Sequence, residues 1–192
     1  MHRSARYREL SEGELTPEQR IVFESIVSTR GGVVPTPFHI LAESPELASL
    51  TQALGAFCRY RTGLPPRLSE LAVLITAAYW GAEYELAVHV PEARKAGIPE
   101  TVIDAVREGR PPPFDDDESR LIHAFATAFY ATREVPDAIF EQAVLRFGRR
   151  RVVELTGVLG YYSGLAMLLR VFRVQSKTAN PPGGTYEATE RR

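Results

Sequence analysis

Cysteine is almost absent from this chain: Cys58 is the single thiol in 192 residues. That count excludes a disulfide framework, a Cys-x-x-Cys redox centre and a polythiolate zinc site. Lysine is nearly as scarce. Only Lys95 and Lys177 occur among 23 basic residues, so the other 21 are arginine, a skew that fits a GC-rich bacterial genome. Neither charge sign is in excess, since 23 basic and 24 acidic residues leave a formal net charge of −1. Such balance excludes an electrostatically driven nucleic-acid binder. The positively charged start has no apolar run behind it, so no secretion signal is indicated and the cytoplasm is the expected compartment. No stretch alternates with strand period for long enough to build a sheet, and no internal repeat is visible.

What is present is helix punctuation. Thr16-Pro17-Glu18-Gln19 offers a cap, a first-turn proline and a reciprocal Gln, and Gly31-Gly32 ends the helix that follows. Two prolines predict an extended or turned passage over Val33–Phe38, and Ser44-Pro45-Glu46 opens a second helix toward Tyr60. Pro65-Pro66 breaks the chain before a very apolar helix from Arg67 to Trp80. Beyond Gly81, the patterns Pro91 to Gly97 and Pro99 to Gly109 predict short helical pieces. Asp115 to Glu118 cap a helix reaching Thr132, and Pro136 starts another that stops near Gly148. The last helix runs from Arg149 to Val174. The reading is a single all-α unit: an N-terminal segment with one helix over 1–32, a helical domain over 33–174 and a disordered tail over 175–192.

The final helix is long and apolar, but Glu154 and Arg170 bracket it and Gly157, Gly160, Ser163 and Gly164 stripe it with small residues. It reads as a core or subunit-interface helix, with no membrane span expected.

Chemistry concentrates between Leu68 and His89. Glu70 is an isolated acid leading an apolar helix, while Glu85 and His89 stand four apart on one helix face. In a straight helix Glu70 and His89 would be about 28 Å apart. If Gly81 turns the chain into an αα-hairpin, all three side chains converge. A carboxylate beside an imidazole in an apolar pocket is a general acid/base pair. The same residues also allow a plain i,i+4 helix pair with Glu70 near its own helix start, or a divalent-metal site.

These motifs resemble the carboxymuconolactone decarboxylase family, whose fold is the alkylhydroperoxidase D-like all-helical bundle. The resemblance spans about three quarters of the chain, from Pro35 to Val174. It is carried by Pro37-Phe38 with Ser44-Pro45-Glu46-Leu47, by Leu64-Pro65-Pro66-Arg67-Leu68-Ser69-Glu70, and by Trp80-Gly81-Ala82-Glu83-Tyr84-Glu85 through His89. The peroxidase branch of that superfamily has a glutamate, a Cys-x-x-Cys pair and a histidine four residues after the second cysteine. Here the glutamate and histidine fall on Glu70 and His89, and the cysteine positions fall on Ala82 and Glu85. The resemblance therefore implies the decarboxylase-type branch: a cofactor-free, metal-free acid/base enzyme on a small carboxylated or lactone metabolite, with Glu70, Glu85 and His89 catalytic. It further implies Phe38, His39, Arg67, Trp80, Tyr84 and Tyr162 as substrate-binding residues, Arg67 supplying the cation for an anionic substrate. A homo-oligomer, trimer or hexamer, is the expected assembly. Alternatives are an antioxidant peroxidase, disfavoured by the missing thiols, and a non-catalytic oligomeric binding protein.

Overall fold

The computed structural model describes residues 4–174, which form helices without strands. The sequence-based tail at 175–192 lies outside the described residues. A short 3-10 turn at Glu12–Glu14 precedes α1 (Pro17–Thr29), α2 (Thr36–Leu41), α3 (Pro45–Tyr60), α4 (Pro66–Trp80), α5 (Glu83–Lys95), α6 (Glu100–Arg107), α7 (Asp117–Thr132), α8 (Asp137–Phe147) and α9 (Arg149–Val171). The α1 capping box forms as its residues dictate: Gln19 N–H donates to Thr16 Oγ1, and Thr16 N–H donates to Gln19 Oε1 at 3.0 Å.

Two local expectations are corrected. The Val33–Phe38 passage is extended only to Pro35, after which Thr36–Leu41 closes into α2. Both prolines sit where a helix has no use for their missing N–H, one just outside and one in the first turn. Pro91 does not begin a new piece; it lies inside α5, which continues to Lys95. An interior proline costs about 3 kcal/mol. The continued helix keeps Leu86, His89, Val90 and Ala93 on one buried stripe, which offsets that cost.

α4 is the axis of the fold. Nine of its residues are buried, from Leu68 to Ala77, and it packs against α5, α6, α7 and α9. A hydroxyl network ties three of these helices together: Tyr130 of α7 meets Thr76 Oγ1 at 2.8 Å and Ser163 Oγ at 3.2 Å, and Trp80 Nε1 donates to Ser163 Oγ at 3.0 Å. A second cluster, built on Phe23, Ile26, Phe38 and Leu41, seats α1 and α2. α9 has the length and apolarity to cross a membrane, yet over half of its most apolar stretch (56%) is buried inside the bundle.

Candidate functional site

The hairpin on which the site depends is made at Gly81. Its φ of +58° is left-handed, a conformation glycine adopts at no steric cost, and Ala82 N–H closes the turn on Ala77 C=O at 2.8 Å. α5 thus folds back along α4 and brings residues 19 apart in sequence into contact.

His89 Nδ1 lies 2.8 Å from Glu70 Oε2. His89 Nε2 lies 3.5 Å from Glu85 Oε2. His89 and Glu85 are 2% and 4% exposed, so both groups are removed from bulk water, while Glu70 is half-buried at the edge. The three groups stand in a row with the imidazole in the middle. They do not surround a common point, and among the described residues no three potential ligands are grouped around a metal position. With Nδ1–H donated to Glu70, the lone pair of Nε2 faces Glu85. At 3.5 Å that second contact is too long for a close hydrogen bond, which leaves the Glu85 end of the row uncommitted.

Burial pushes the Glu85 carboxyl above the usual carboxylate range, against the opposing pull of His89, Arg59 and Arg30. Tyr162 of α9 sets its ring edge-on to His89, with centroids 4.9 Å apart, and burial pushes its phenol well up. Tyr161 packs edge-on to Tyr162 at 5.0 Å. Arg30, just past the end of α1, donates from Nε to Gln52 Oε1 at 2.7 Å and lies 5.0 Å over the Phe38 ring. Arg30 Nη2 and the Tyr161 hydroxyl are both buried without a hydrogen-bond partner among the described residues.

Of the residues expected to bind substrate, Tyr162 reaches the row directly and Phe38 stands behind Arg30. His39 is tied to the N-terminal segment instead: its Nδ1 accepts Leu10 N–H at 3.0 Å and its ring packs edge-on to Phe23. Tyr84 accepts Thr36 N–H at 3.2 Å, and Trp80 is held by Ser163. Arg67 is not brought to the row. It pairs with Asp116 at 2.8 Å and Glu118 at 3.5 Å and bonds Ser119, stapling the start of α4 to α7. Arg59 and Arg30 are the cations near Glu85 that sequence reasoning missed. Arg59 carried a readable signal, because it continues the spacing of Ala48, Gln52 and Gly55 along the buried face of α3. Cys58 is 1% exposed and burial raises its thiol to about 11, so it is not a thiolate nucleophile.

Residues 45–129 match the family model of the carboxymuconolactone decarboxylase family. No curated protein matches the chain. Among solved structures, the chain resembles a protein of unknown function from Agrobacterium tumefaciens, for which an antioxidant-defence role as AhpD has been suggested. The two are 25% identical, with a TM-score of 0.63 over 70% of this chain and 93% of that one. It also shares its fold with the debrominase Bmp8. A cysteine-to-alanine variant of that enzyme, bound to 2,3,4-tribromopyrrole, superposes with a TM-score of 0.72 at 16% identity, over 92% of this chain and 93% of that one. The apo form gives 0.68 at 16% identity, over 87% of this chain and 89% of the other.

Proposed function

We propose that this chain, a member of the carboxymuconolactone decarboxylase and AhpD-like superfamily, is a proton-transfer enzyme acting on a small carboxylated or lactone metabolite. One observation carries the reading: a buried imidazole bonded to Glu70 at one nitrogen and facing Glu85 across 3.5 Å at the other. Glu70 fixes the tautomer and orientation of His89. Glu85, held toward its protonated form by burial, is the proton donor at the uncommitted end, and His89 reprotonates it.

For a decarboxylation of the family type, the bond between a ring carbon and a carboxylate breaks and carbon dioxide leaves. Its electron pair passes into the unsaturated lactone, and one proton delivered from Glu85 or His89 quenches the carbanion. The substrate is its own electron sink in this scheme. Thiol-based peroxide reduction is not favoured, because Ala82 and Glu85 occupy the redox positions and Cys58 is sealed in the core.

Self-association accompanies the proposal. Val153, Gly157, Gly160, Gly164, Met167 and Val171 form one exposed stripe along α9, a face suited to a second copy of the chain.

The test is turnover of 4-carboxymuconolactone in deuterated water, reading loss of lactone and deuterium gained by the product. We expect turnover by wild type and a fall of about 100-fold or more in His89→Gln and Glu85→Gln. No turnover above buffer at high enzyme concentration, with no deuterium incorporation, refutes the proposal.

A further inference from the structure

Beyond the acid/base row, the C-terminal half of α4, the end of α6, residues 109–111 and α7 line a cavity of about 430 Å³. That volume falls within the range of about 300–1,000 Å³ typical of small-molecule sites. Its α4 wall includes Tyr79, nine residues and so about 180° of helix turn past Glu70, and no residue of α5 or α9 lines it. Ile75, Ala78 and Val106 make the cavity apolar, and Tyr79 and Tyr130 stand stacked along it with ring centroids 4.4 Å apart. Their hydroxyls are spent. Tyr79 donates to Tyr130 C=O at 3.2 Å, and the Tyr130 hydroxyl bonds Thr76 and Ser163. Thr127 Oγ1 donates to His123 C=O at 2.6 Å. The two arginines of the lining carry their own acids, Arg107 with Asp104 at 3.8 Å and Arg110 with Glu108.

His123 differs from these groups. Its half-buried ring lines the cavity, Phe114 packs on it with centroids 5.5 Å apart, and among the described residues neither ring nitrogen has a hydrogen-bond partner. Burial holds the imidazole below its usual range, so at neutral pH one of its nitrogens presents a lone pair. A lone pair set in an apolar wall of flat rings suits a molecule that is itself flat and apolar, with one O–H to donate. A carboxylate is poorly matched, because it brings no proton for that lone pair and both lining arginines already face an acid. We propose that this cavity is a second small-molecule site, which takes a neutral phenol with its ring among Ile75, Tyr79 and Tyr130 and its hydroxyl donating to His123. The site shares no residue with the acid/base row, so it stands independently of the proton-transfer reading.

The experiment is fluorine NMR titration of the full chain with para-fluorophenol, its methyl ether para-fluoroanisole, and para-fluorobenzoate. Wild type is expected to bind the phenol about fivefold more tightly than the ether, the yield of one net hydrogen bond, and to bind the benzoate more weakly than the phenol. In His123→Phe ether binding persists, and the phenol binds no better than the ether. Ala78→Leu, which takes up space in the cavity, weakens phenol and ether together, whereas His89→Gln in the acid/base row leaves all three affinities unchanged. A second measurement needs no variant: in wild type the phenol, but not the ether, shifts a His123 ring nitrogen resonance. Equal affinity for phenol and ether, a preference that survives in His123→Phe, or tighter binding of the benzoate overturns the assignment. So does a His123 resonance unmoved at saturation, loss of phenol binding in His89→Gln, or no saturable binding at millimolar concentration, the result if a second copy of the chain covers the cavity.

Discussion

Replacing Glu85 with methionine is expected to stabilise the protein while abolishing its chemistry. Glu85 is 4% exposed, and among the described residues its one close polar neighbour is His89 Nε2 at 3.5 Å. Burying a polar group without a good hydrogen bond costs about 1–3 kcal/mol by mutational measures, and methionine fills a similar volume with no such cost. A gain of about 1–3 kcal/mol raises the melting temperature by about 2–12 °C for a domain of this size. The gain also has a pH signature. The Glu85 pKa is raised in the folded state, so above the ordinary carboxylate range the folded state binds more protons than the unfolded state. Wild-type stability from this group is therefore greatest below the unfolded pKa, about 4.3, and falls as pH rises toward the folded value. The advantage of Glu85→Met widens over that window and then levels off. Urea denaturation of both proteins from pH 4 to 8 measures it. A stability difference that stays flat with pH, or a variant less stable than wild type at pH 7, refutes the view of Glu85 as an uncompensated buried acid.

Three further outcomes are expected. Gly55→Ala destabilises by about 1–3 kcal/mol in denaturant, because a Cβ there would lie 2.8 Å from Arg30 Nη2 and well inside contact distance of the Tyr161 hydroxyl. Tyr161→Phe, which removes that hydroxyl, reduces the penalty in a double-mutant cycle. Hydroperoxide consumption by the wild type matches that of Cys58→Ser, since the buried thiol titrates only near 11; a loss on substitution restores the thiol reading. Gly160→Arg on the exposed stripe of α9 lowers the mass measured by light scattering to that of one chain, whereas an unchanged mass places any self-association elsewhere.

The helices and the hairpin were legible because their signals are local. Thr16, Pro45 and Gly81 act within a turn of their own positions, and each does in the structure what its spacing implied. The passage at Pro37 and the continuity of α5 through Pro91 were not legible, because tertiary burial decides whether a helix forms or persists there. The Glu70, Glu85 and His89 grouping followed from hairpin geometry alone. Their order did not, since an imidazole can join two carboxylates in series or share one point with them. The cation was misplaced for a related reason. Arg67 stands nearer in sequence to Glu70, but Asp116 and Glu118, about 50 residues away, claim it. Sequence proximity says little about which acid an arginine pairs with.

The two charges that bracket α9 show how a helix with membrane-like composition is recruited to hold a site. Glu154 Oε2 accepts the Gly63 N–H at 2.6 Å, in the turn that precedes α4. One end of the pairing is thus fixed before Glu70 is reached. At the other end, Arg170 Nη1 donates to Gly81 C=O at 3.3 Å, in the turn that follows α4. Sixteen residues of helix span about 24 Å, which matches the length of α4 between those turns. The α9 helix therefore lies along α4 in a fixed register, its charges satisfied by the turns at either end. That register determines which α9 residue stands opposite the Glu70–His89 contact, and it is Tyr162, edge-on at 4.9 Å. A shift of one residue along α9 would rotate this ring away by about 100°. The apolar length of α9, its bracketing charges and the closure of the site by Tyr162 are consequences of one geometric requirement: α4 must be held at both ends.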